Sequence, residues 1–299
     1  MPTALPQQSD FSGLWIPLIT PFKNGEVDHP ALAQLVRHYA GCGVAGFVPC
    51  GSTGEAAALE DSEQLAVLDT VLGAAAASSI GLPVVMGMSG YNLKKCLSWV
   101  KTLSDYPITG LLVPAPPYIR PSQAGLLHWF RALADAAHVP LMVYDIPYRT
   151  GVTIGLATLL VLAGHPNIRA IKDCGGDAVK TRSLIADGRL QVLAGDDAQI
   201  FSTLAQGGAG AIAASAHLRT TEFAQVIKLL RQGRLAEARE VWSPLPQHID
   251  TLFAEPNPAS IKAALAAHGW IHNELRAPMT AATFSPATLA PATLAVNVA

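Results

Sequence analysis

Short runs of aliphatic and β-branched residues recur along the chain, and a longer stretch with helical spacing follows each run. The runs occupy residues 14–20, 46–50, 83–87, 110–114, 140–145, 169–173, 191–195 and 210–215. Such alternation is typical of βα units, in which parallel strands are buried on both faces. A doubly wound sheet would also alternate, but uninterrupted alternation at a spacing of about 25 to 35 residues favours closure. We therefore predict an α/β fold, a (β/α)8 TIM barrel.

The pattern changes after residue 230, where the strand-like runs stop. From Arg231 to about Gly269 the apolar residues keep only helical spacing, and the final stretch is rich in Ala, Pro and Thr. We predict that residues 1–230 form the barrel that carries the chemistry. Residues 231–299 are predicted to form a small C-terminal helical extension with an Ala/Pro/Thr-rich tail.

Composition and charge argue against several classes of function. Half of the 299 residues are hydrophobic and 14% are charged, which supplies enough apolar material for one large core. The net charge of −2, without a cluster of Lys and Arg, argues against nucleic acid as a partner. Residues 70–93 carry no charge, but glycines and a proline interrupt them, so we expect no membrane span.

The cellular compartment is predicted from the first residues and from the cysteines. Residues 1–10 lack the basic and apolar regions of a secretory signal, so we expect a cytoplasmic protein. Cys42, Cys50, Cys96 and Cys174 are scattered without a CxxC pair. This scatter is typical of buried thiols in a reducing compartment.

Two patterns that match functional motifs are interpreted as structural. The segment from Gly41 to Gly46 matches GxGxxG, but it follows a helix and precedes a strand, the reverse of a dinucleotide-binding turn. His268 and His272 are four residues apart, but no Glu and no third ligand completes a metal site. We therefore assign no metal and predict a helix-to-strand turn at the glycines.

Candidate chemistry lies where the apolar runs end, because barrel enzymes place their active sites at the carboxyl ends of the strands. After the second run comes GSTGE, residues 51–55, whose hydroxyls and backbone N–H groups suit a carboxylate or a phosphate. The fifth run ends at Tyr144, and Arg149 follows with a guanidinium suited to gripping a carboxylate. The sixth run delivers Lys172, whose desolvated amine would attack a carbonyl.

Each of these features alone has an ordinary structural explanation, since a lone lysine at a strand end is more often paired or solvated. A nucleophilic amine, a phenolic proton relay and an anion-holding turn on one face together predict an active site.

At these motifs the sequence resembles the family of dihydrodipicolinate synthase (4-hydroxy-tetrahydrodipicolinate synthase) and N-acetylneuraminate lyase, over nearly the whole chain. The matching motifs, in order, are LITPF, GSTGE, PPYIRPSQ, YDIPYRTG, the lysine of IKD, AGDD, EPNP and LRAPMT. The resemblance implies a Schiff-base, class I aldolase-type enzyme, which needs neither a metal nor an organic cofactor.

The resemblance also implies roles for individual residues. Lys172 would form the Schiff base with pyruvate, and Tyr144 would shuttle protons. Tyr118 would be lent across a dimer interface to complete a relay with Thr53 and Tyr144 of a neighbouring subunit. A homo-oligomer, commonly a dimer of dimers, is therefore implied. The substrate-binding positions that the resemblance implies are Ser52, Thr53, Arg149, Gly195 and Ile212.

Arg149 indicates the branch of the family, because the synthases place an arginine there to bind the carboxylate of aspartate semialdehyde. We therefore expect condensation of pyruvate with L-aspartate 4-semialdehyde, a step of lysine biosynthesis. The chain departs from the synthases at Ser52, Pro117 and Asp145, where Thr, Tyr and Asn are usual.

Two alternatives remain. The first is another pyruvate-dependent aldolase or dehydratase, acting on a neuraminate, a 2-keto-3-deoxy sugar acid or a hydroxy-oxo acid. The second is a non-catalytic 2-oxo-acid sensor, against which the presence of both Lys172 and Tyr144 argues.

The resemblance also bears on inhibition by L-lysine, which many plant and Gram-negative synthases bind at an allosteric pocket. Matching by motif puts Lys95 where those relatives have an acid, and Tyr91 where they have an Asn. Gln64 stands at the position of a His, and Pro117 at that of an interface Tyr. We predict that L-lysine does not inhibit this protein.

Overall fold

The computed structural model describes residues 10–78 and 81–283. Its strands, named here for the barrel alone, are β1 Gly13–Ile16, β2 Gly46–Phe47, β3 Val85–Gly87, β4 Gly110–Pro114, β5 Leu141–Asp145, β6 Ile168–Asp173, β7 Gln191–Ala194 and β8 Gly210–Ile212. They are parallel and hydrogen-bonded in the order β2-β1-β8-β7-β6-β5-β4-β3. A parallel bridge between Phe47 and Val84 joins the first and last strands of that order. The predicted (β/α)8 barrel is therefore confirmed.

Helices connect the strands and continue after β8. They are α1 His29–Ala40, α2 Asp61–Ala76, α3 Leu93–Leu103, α4 Gln123–Ala136, α5 Pro147–Thr150, α6 Leu156–Leu162, α7 Ala178–Asp187, α8 Ile200–Ala205, α9 Thr220–Arg231, α10 Leu235–Trp242, α11 Leu245–Leu252 and α12 Ala259–Ala267. Side-chain caps begin several of them, since Asn92, Ser122 and Asp177 each accept a hydrogen bond from a first-turn N–H.

Two apolar clusters separate the inside of the barrel from the layer beneath the helices. The inner cluster comprises Phe11, Trp15, Val48, Val85, Leu112, Met142, Tyr144, Ile146, Ala170, Leu193 and Ile212. Side chains alternate along a strand, so Met142 and Tyr144 of β5 point inward while Leu141 and Val143 pack outward. The same alternation gives Lys172 the inward orientation of Ala170 on β6.

Each predicted run overlaps an observed strand, but several runs are longer than their strands. β1 ends at Ile16 although its run continues to residue 20. Leu18 and Ile19 nevertheless stay almost fully buried, because the segment after β1 packs beneath the helices. In these segments the apolar composition therefore predicts burial but not the residue at which the strand ends.

The glycine segment between α1 and β2 is a turn, as predicted. Gly41 caps the C-terminus of α1, and Gly46 begins β2. The segment therefore runs from helix to strand.

After β8 and α9 the chain is helical, with α10, α11 and α12 in succession. Residues 284–299, which hold most of the predicted Ala/Pro/Thr-rich tail, lie outside the described residues, and the division of the chain at residue 230 stays a prediction. None of the helices in the described part of the chain combines the length and apolar character needed to cross a membrane.

Candidate active site

Lys172 and Tyr144 lie side by side at the ends of β6 and β5, where the strand register pairs their Cα positions. The Nζ atom of Lys172 lies 4.4 Å from the centroid of the Tyr144 ring. The two side chains are only 5% and 6% exposed, respectively. The structure thus brings together the amine and the phenol that were predicted from the strand ends.

Burial sets the protonation of both groups. Desolvation lowers the pKa of Lys172, the nearby Asp197 opposes this change, and the Arg149 guanidinium adds to it. A lowered pKa increases the fraction of neutral amine, which is the nucleophilic form. Burial raises the pKa of Tyr144 well above its ordinary value, so the phenol keeps its proton. Burial therefore favours the neutral form of the Lys172 amine and the protonated form of the Tyr144 phenol.

Gly195, directly after β7, leaves space for the lysine. A Cβ atom at this position would lie 2.6 Å from Cγ of Lys172 and 2.5 Å from Sγ of Cys174. Atoms do not pack this closely, so any side chain here would displace Lys172. Ile212 ends β8 and belongs to the inner cluster with Tyr144. Contact of either residue with substrate stays a prediction.

The GSTGE turn, residues 51–55, follows β2 and contacts the site through its hydroxyls. The side chain of Ser52 hydrogen-bonds with Tyr144. The Thr53 side chain is buried, and its Oγ1 accepts a hydrogen bond of 2.9 Å from Nδ2 of Asn257. The turn is therefore joined to the strand ends on one side and to the C-terminal region on the other.

Helix α12 and the segment after it hold this turn in place. Lys262 of α12 is fully buried and pairs with Glu55 at 2.5 Å. The backbone N–H of Arg276 donates to Glu55 at 3.2 Å, and Lys262 also donates to the backbone oxygen of Glu274 at 2.9 Å. The Arg276 guanidinium forms a further ion pair with Glu63 at 2.6 Å. The helical extension is thus built into the candidate site.

A cavity of about 390 Å³ opens beside Tyr144. Arg149 lines this cavity, and its Nη2 donates to the backbone oxygen of Asn257 at 3.4 Å. Other residues of the lining are Ser52, Met88, Leu112, Pro117, Ile146 and Met279. Lys172, Thr53, Gly195 and Ile212 are not part of the lining. Lys172 contacts the ring of Tyr144, which does line the cavity.

Tyr118 is not brought to the other candidate residues within the chain. Its side chain is 89% exposed, and its φ of +74° places the backbone in the left-handed region. The neighbouring Ile119 is also exposed, and the adjacent Pro117 lines the cavity. The predicted contribution of Tyr118 to a second subunit stays a prediction.

Two residues contact the site although the sequence reasoning gave them no role. Asn257, from the EPNP motif, binds Thr53 and Arg149, and its Oδ1 is buried without a hydrogen-bond partner among the described residues. Asp197, from the AGDD motif, accepts hydrogen bonds of 2.6 Å from both N and Oγ of Ser215. Burial raises the pKa of Asp197 to about 6. Their motifs marked both positions, but only the folded chain shows the contacts.

The two histidines that are four residues apart, His268 and His272, lie at the end of α12 and just after it. His268 caps the end of α12 and lines a second cavity of about 260 Å³, whose lining shares no residue with the first. Among the residues that the structure describes, no three His, Cys, Asp or Glu side chains are grouped as metal ligands.

Comparison with protein families identifies one match over nearly the whole chain. Residues 10–293 match the model of the dihydrodipicolinate synthetase family. A curated relative, 4-hydroxy-tetrahydrodipicolinate synthase 2 of Clostridium acetobutylicum, is 39% identical over 270 residues, which are 89% of this chain and 93% of the relative. The family resemblance predicted from the motifs is confirmed.

Solved structures give the same result. A dihydrodipicolinate synthase from Acinetobacter baumannii, complexed with pyruvate, superposes with a TM-score of 0.87 at 29% identity, covering 90% of this chain and 93% of that one. The enzyme from Cyanidioschyzon merolae with lysine bound also gives a TM-score of 0.87, at 31% identity. That comparison covers 91% of this chain and 93% of the other.

Proposed function

Because the chain belongs to the dihydrodipicolinate synthetase family, we propose that it condenses pyruvate with L-aspartate 4-semialdehyde to 4-hydroxy-tetrahydrodipicolinate, in lysine and diaminopimelate biosynthesis. The observation that carries the proposal is the buried contact of the Lys172 amine with the Tyr144 ring, 4.4 Å from its centroid. This contact supports the proposal, because imine formation uses a neutral amine and a nearby proton donor.

The chemistry runs through Lys172. Its neutral amine attacks C2 of pyruvate, and loss of water gives an iminium ion. Removal of a proton from C3 leaves its electron pair on the iminium, which becomes an enamine. C3 of the enamine attacks the aldehyde carbon, and the aldehyde oxygen takes up a proton. The substrate amino group then attacks C2, closes the ring and releases Lys172. The iminium is the electron sink, so the reaction needs no metal and no organic cofactor.

Proton transfer and carboxylate binding are assigned to the residues around the lysine. Tyr144 passes protons to and from the intermediates, in a relay with Thr53 and with Tyr118 of a second copy of the chain. Ser52 and Thr53 hold the pyruvate carboxylate by their hydroxyls and by backbone N–H groups of the turn. The hydrogen bond between Ser52 and Tyr144 supports this arrangement, because it joins the anion site to the proton relay.

Arg149 is assigned to the carboxylate of the aldehyde substrate. It lies in the cavity lining beside Tyr144, close enough to Lys172 to influence the pKa of that amine. A guanidinium binds a carboxylate through two parallel N–H groups. Gly195 and Ile212 complete the substrate-facing surface in this proposal.

The protein is further proposed to act as a cytoplasmic homo-oligomer, a dimer of dimers. Its partners are small molecules, with neither nucleic acid nor membrane. The exposed Tyr118 and Ile119 support the assembly, since a large apolar side chain in solvent gains stability when a second subunit covers it.

A second candidate is another pyruvate-dependent aldolase or dehydratase of the same family, acting on N-acetylneuraminate, a 2-keto-3-deoxy sugar acid or a hydroxy-oxo acid. Ser52 favours it, because the lyases resemble this chain at that position. Both candidates use the same imine, so they differ only in the second substrate.

Borohydride trapping tests the mechanism. Pyruvate with sodium borohydride is expected to add one reduced pyruvyl group to Lys172, which peptide mass spectrometry locates. Lys172→Arg should not be labelled, and Lys101→Arg, a change at an exposed lysine of α3, should be labelled like the wild type. An unlabelled wild type, or a label on another lysine, contradicts the mechanism. A turnover assay with aspartate semialdehyde against the sugar acids then distinguishes the two candidates.

A further inference from the structure

Two carboxylates lie directly behind the reactive pair. Asp145 follows Tyr144 at the end of β5, Asp173 follows Lys172 at the end of β6, and the strand register pairs these two aspartates as well. Because side chains alternate along a strand, both carboxylates point out of the barrel, toward the helices. Both are buried. Each reactive residue thus shares a peptide unit with a buried anion.

Lys180 supplies a cation beside Asp145. It lies in the first turn of α7, is only 4% exposed, and forms an ion pair with Asp145 through Nζ and Oδ2. A cation in the first turn of a helix opposes the helix dipole, so the helix itself does not account for a lysine here. The buried carboxylates do account for it.

Gly175 shows how closely the three charges converge. A Cβ atom at this position would lie 2.5 Å from Nζ of Lys180, 3.0 Å from Oδ2 of Asp145 and 3.1 Å from Oδ1 of Asp173. The three charged atoms therefore lie around the position that a Cβ of residue 175 would occupy, and only glycine leaves this position empty. The requirement for glycine here is one of space, because its φ does not lie in the left-handed region.

The two carboxylates have different partners. Asp173 accepts hydrogen bonds from the Gly175 N–H at 2.9 Å and from the Thr181 hydroxyl at 2.5 Å. Asp145 has, besides Lys180, a longer bond of 3.4 Å from the Ile154 N–H. Burial raises the pKa of Asp145, whereas its bond to Lys180 favours the charged form. Loss of the ammonium would therefore leave the buried Asp145 carboxyl group without the partner that stabilises its charged form.

We propose that Lys180 is a positioning residue for the Schiff-base centre, which it serves by pairing with the buried carboxylate of Asp145 behind Tyr144, next to the carboxylate of Asp173 behind Lys172. Without the ammonium, Asp145 is a buried carboxyl group that has lost its ion-pair partner, so water or a proton must enter to stabilise it, and the ends of β5 and β6 shift. The distance between the amine and the phenol then changes, because each reactive side chain moves with its neighbouring aspartate. This inference rests on the proposed function of Lys172.

Four variants test the idea: Lys180→Met, Asp145→Asn, their combination, and Gly175→Ala, which displaces the ammonium without removing it. Arg182→Met, at an exposed cation of the same helix, is the control. Three measurements are made on each variant: kcat and KM for pyruvate, the rate of imine formation by quenching with borohydride, and the urea unfolding midpoint. The kinetic measurements are made well below the unfolding transition.

Lys180→Met is expected to lower kcat and the imine rate by about 10- to 100-fold, the loss expected for a reacting group displaced by about 1 Å. The double variant should recover most of this loss, because the neutral amide no longer needs the ammonium. A purely structural role would lower only the urea midpoint. A folded Lys180→Met with wild-type kcat and imine rate, or a double variant no faster than Lys180→Met alone, overturns the inference.

If Lys180→Met does not fold, Gly175→Ala decides: a loss of kcat supports the inference and an unchanged kcat contradicts it. The wild type separates this inference from the proposed function. A wild type that borohydride does not label at Lys172 refutes the function, whereas a labelled wild type with unaffected folded variants refutes only the role of Lys180.

Discussion

At the residue scale, the site depends on the contacts of a few side chains and on the space that one glycine leaves. Arg149 is exposed in the cavity lining, donates a long bond of 3.4 Å to the backbone oxygen of Asn257, and lies over the ring of the exposed Tyr148. Its guanidinium is therefore available to a substrate carboxylate. Gly195, in contrast, acts by having no side chain where Lys172 packs.

Arg149→Ala is expected to raise KM for the aldehyde substrate far more than KM for pyruvate. Loss of one charge-assisted contact costs about 1.5 to 3 kcal/mol of binding. Steady-state kinetics with each substrate varied in turn measures the two effects, and Arg131→Ala, at an exposed arginine of α4, should change neither. An equal rise in both KM values would mean that Arg149 has a structural role.

Gly195→Ala is expected to lower kcat and to destabilise the fold by about 1 to 3 kcal/mol, because the new Cβ overlaps with Lys172 and Cys174. Gly73→Ala is the matched control, since a Cβ at that exposed position of α2 meets no atom within 4 Å. The control should stabilise the fold by about 0.5 to 1 kcal/mol through helix propensity. Wild-type kcat in Gly195→Ala would show that Lys172 can adopt another rotamer.

At the element scale, the strands were predictable because each is a buried apolar run between polar turns. Side chains alternate along β6, and this alternation directs Lys172 into the barrel. A lysine at the barrel mouth could therefore be predicted from the sequence. The ends of β1 and β2 could not be predicted, since buried residues continue the apolar runs past the last residue of each strand.

Contacts between distant elements were not predictable for a different reason. Lys180 lies on a helix whose sequence pattern gives no sign that this lysine is buried. The Asn257 bond to Thr53 joins residues 204 positions apart. No periodicity or local spacing in the sequence indicates either contact. The first forms only when α7 packs on the barrel, and the second only when the segment before α12 packs on the GSTGE turn.

The turn after β8 is expected to make stability depend on pH through His217. Its Nε2 accepts a hydrogen bond of 3.1 Å from the Ile19 N–H, and its Nδ1 donates to the Ala214 oxygen at 2.8 Å. Burial lowers the pKa of His217 to about 4 from the usual 6.5. The unfolded chain thus binds a proton that the folded chain excludes, and stability is lost as the pH falls through this window.

The loss attributable to His217 is about 3 kcal/mol between pH 6.5 and pH 4. Urea unfolding of the wild type and of His217→Asn across this pH window gives the difference between their free energies of unfolding. The contributions of other titrating groups, such as Asp197, cancel in this difference. The wild type should lose stability relative to the variant as the pH falls. A difference that does not change with pH would contradict the prediction.

At the scale of the whole molecule, one chain holds the amine, the phenol and the turn, but leaves Tyr118 in solvent. Tyr118→Phe is expected to reduce kcat by roughly 100-fold, because the substitution removes the hydroxyl that transfers protons in the proposed relay. The urea midpoint of the isolated chain should stay the same, since the removed hydroxyl is exposed.

Mixed oligomers show whether Tyr118 acts in a second subunit. Alone, Lys172→Arg is expected to be inactive and Tyr118→Phe to keep roughly one hundredth of the wild-type kcat. Refolded together, the two variants are expected to show clearly more activity than either one alone. In a mixed dimer, the intact Lys172 of one chain meets the intact Tyr118 of the other. Absence of recovery in a confirmed mixed dimer would place the tyrosine outside the relay.

L-lysine is expected not to inhibit this protein at sub-millimolar concentration, although a structural relative from Cyanidioschyzon merolae has lysine bound. Tyr91 and Lys95 are exposed at the start of α3, and the first turn of that helix has no acidic residue. The amide of Gln64 is directed to the backbone oxygens of Ala56 and Leu59. The surface that would meet the effector's ammonium is therefore cationic.

Placing an ammonium beside Lys95 replaces an attraction with a repulsion of about 1 to 4 kcal/mol, depending on solvent access. A shift of the helix match by one residue does not change this result, because the adjacent Lys94 is also exposed. Calorimetric titration with L-lysine, alongside turnover at saturating pyruvate, is the measurement. Lys95→Glu is the matched variant, and it should bind L-lysine more tightly than the wild type if this surface is the correct one. Inhibition of the wild type, with the effector located near Tyr91 and Lys95, would restore the feedback-regulated interpretation.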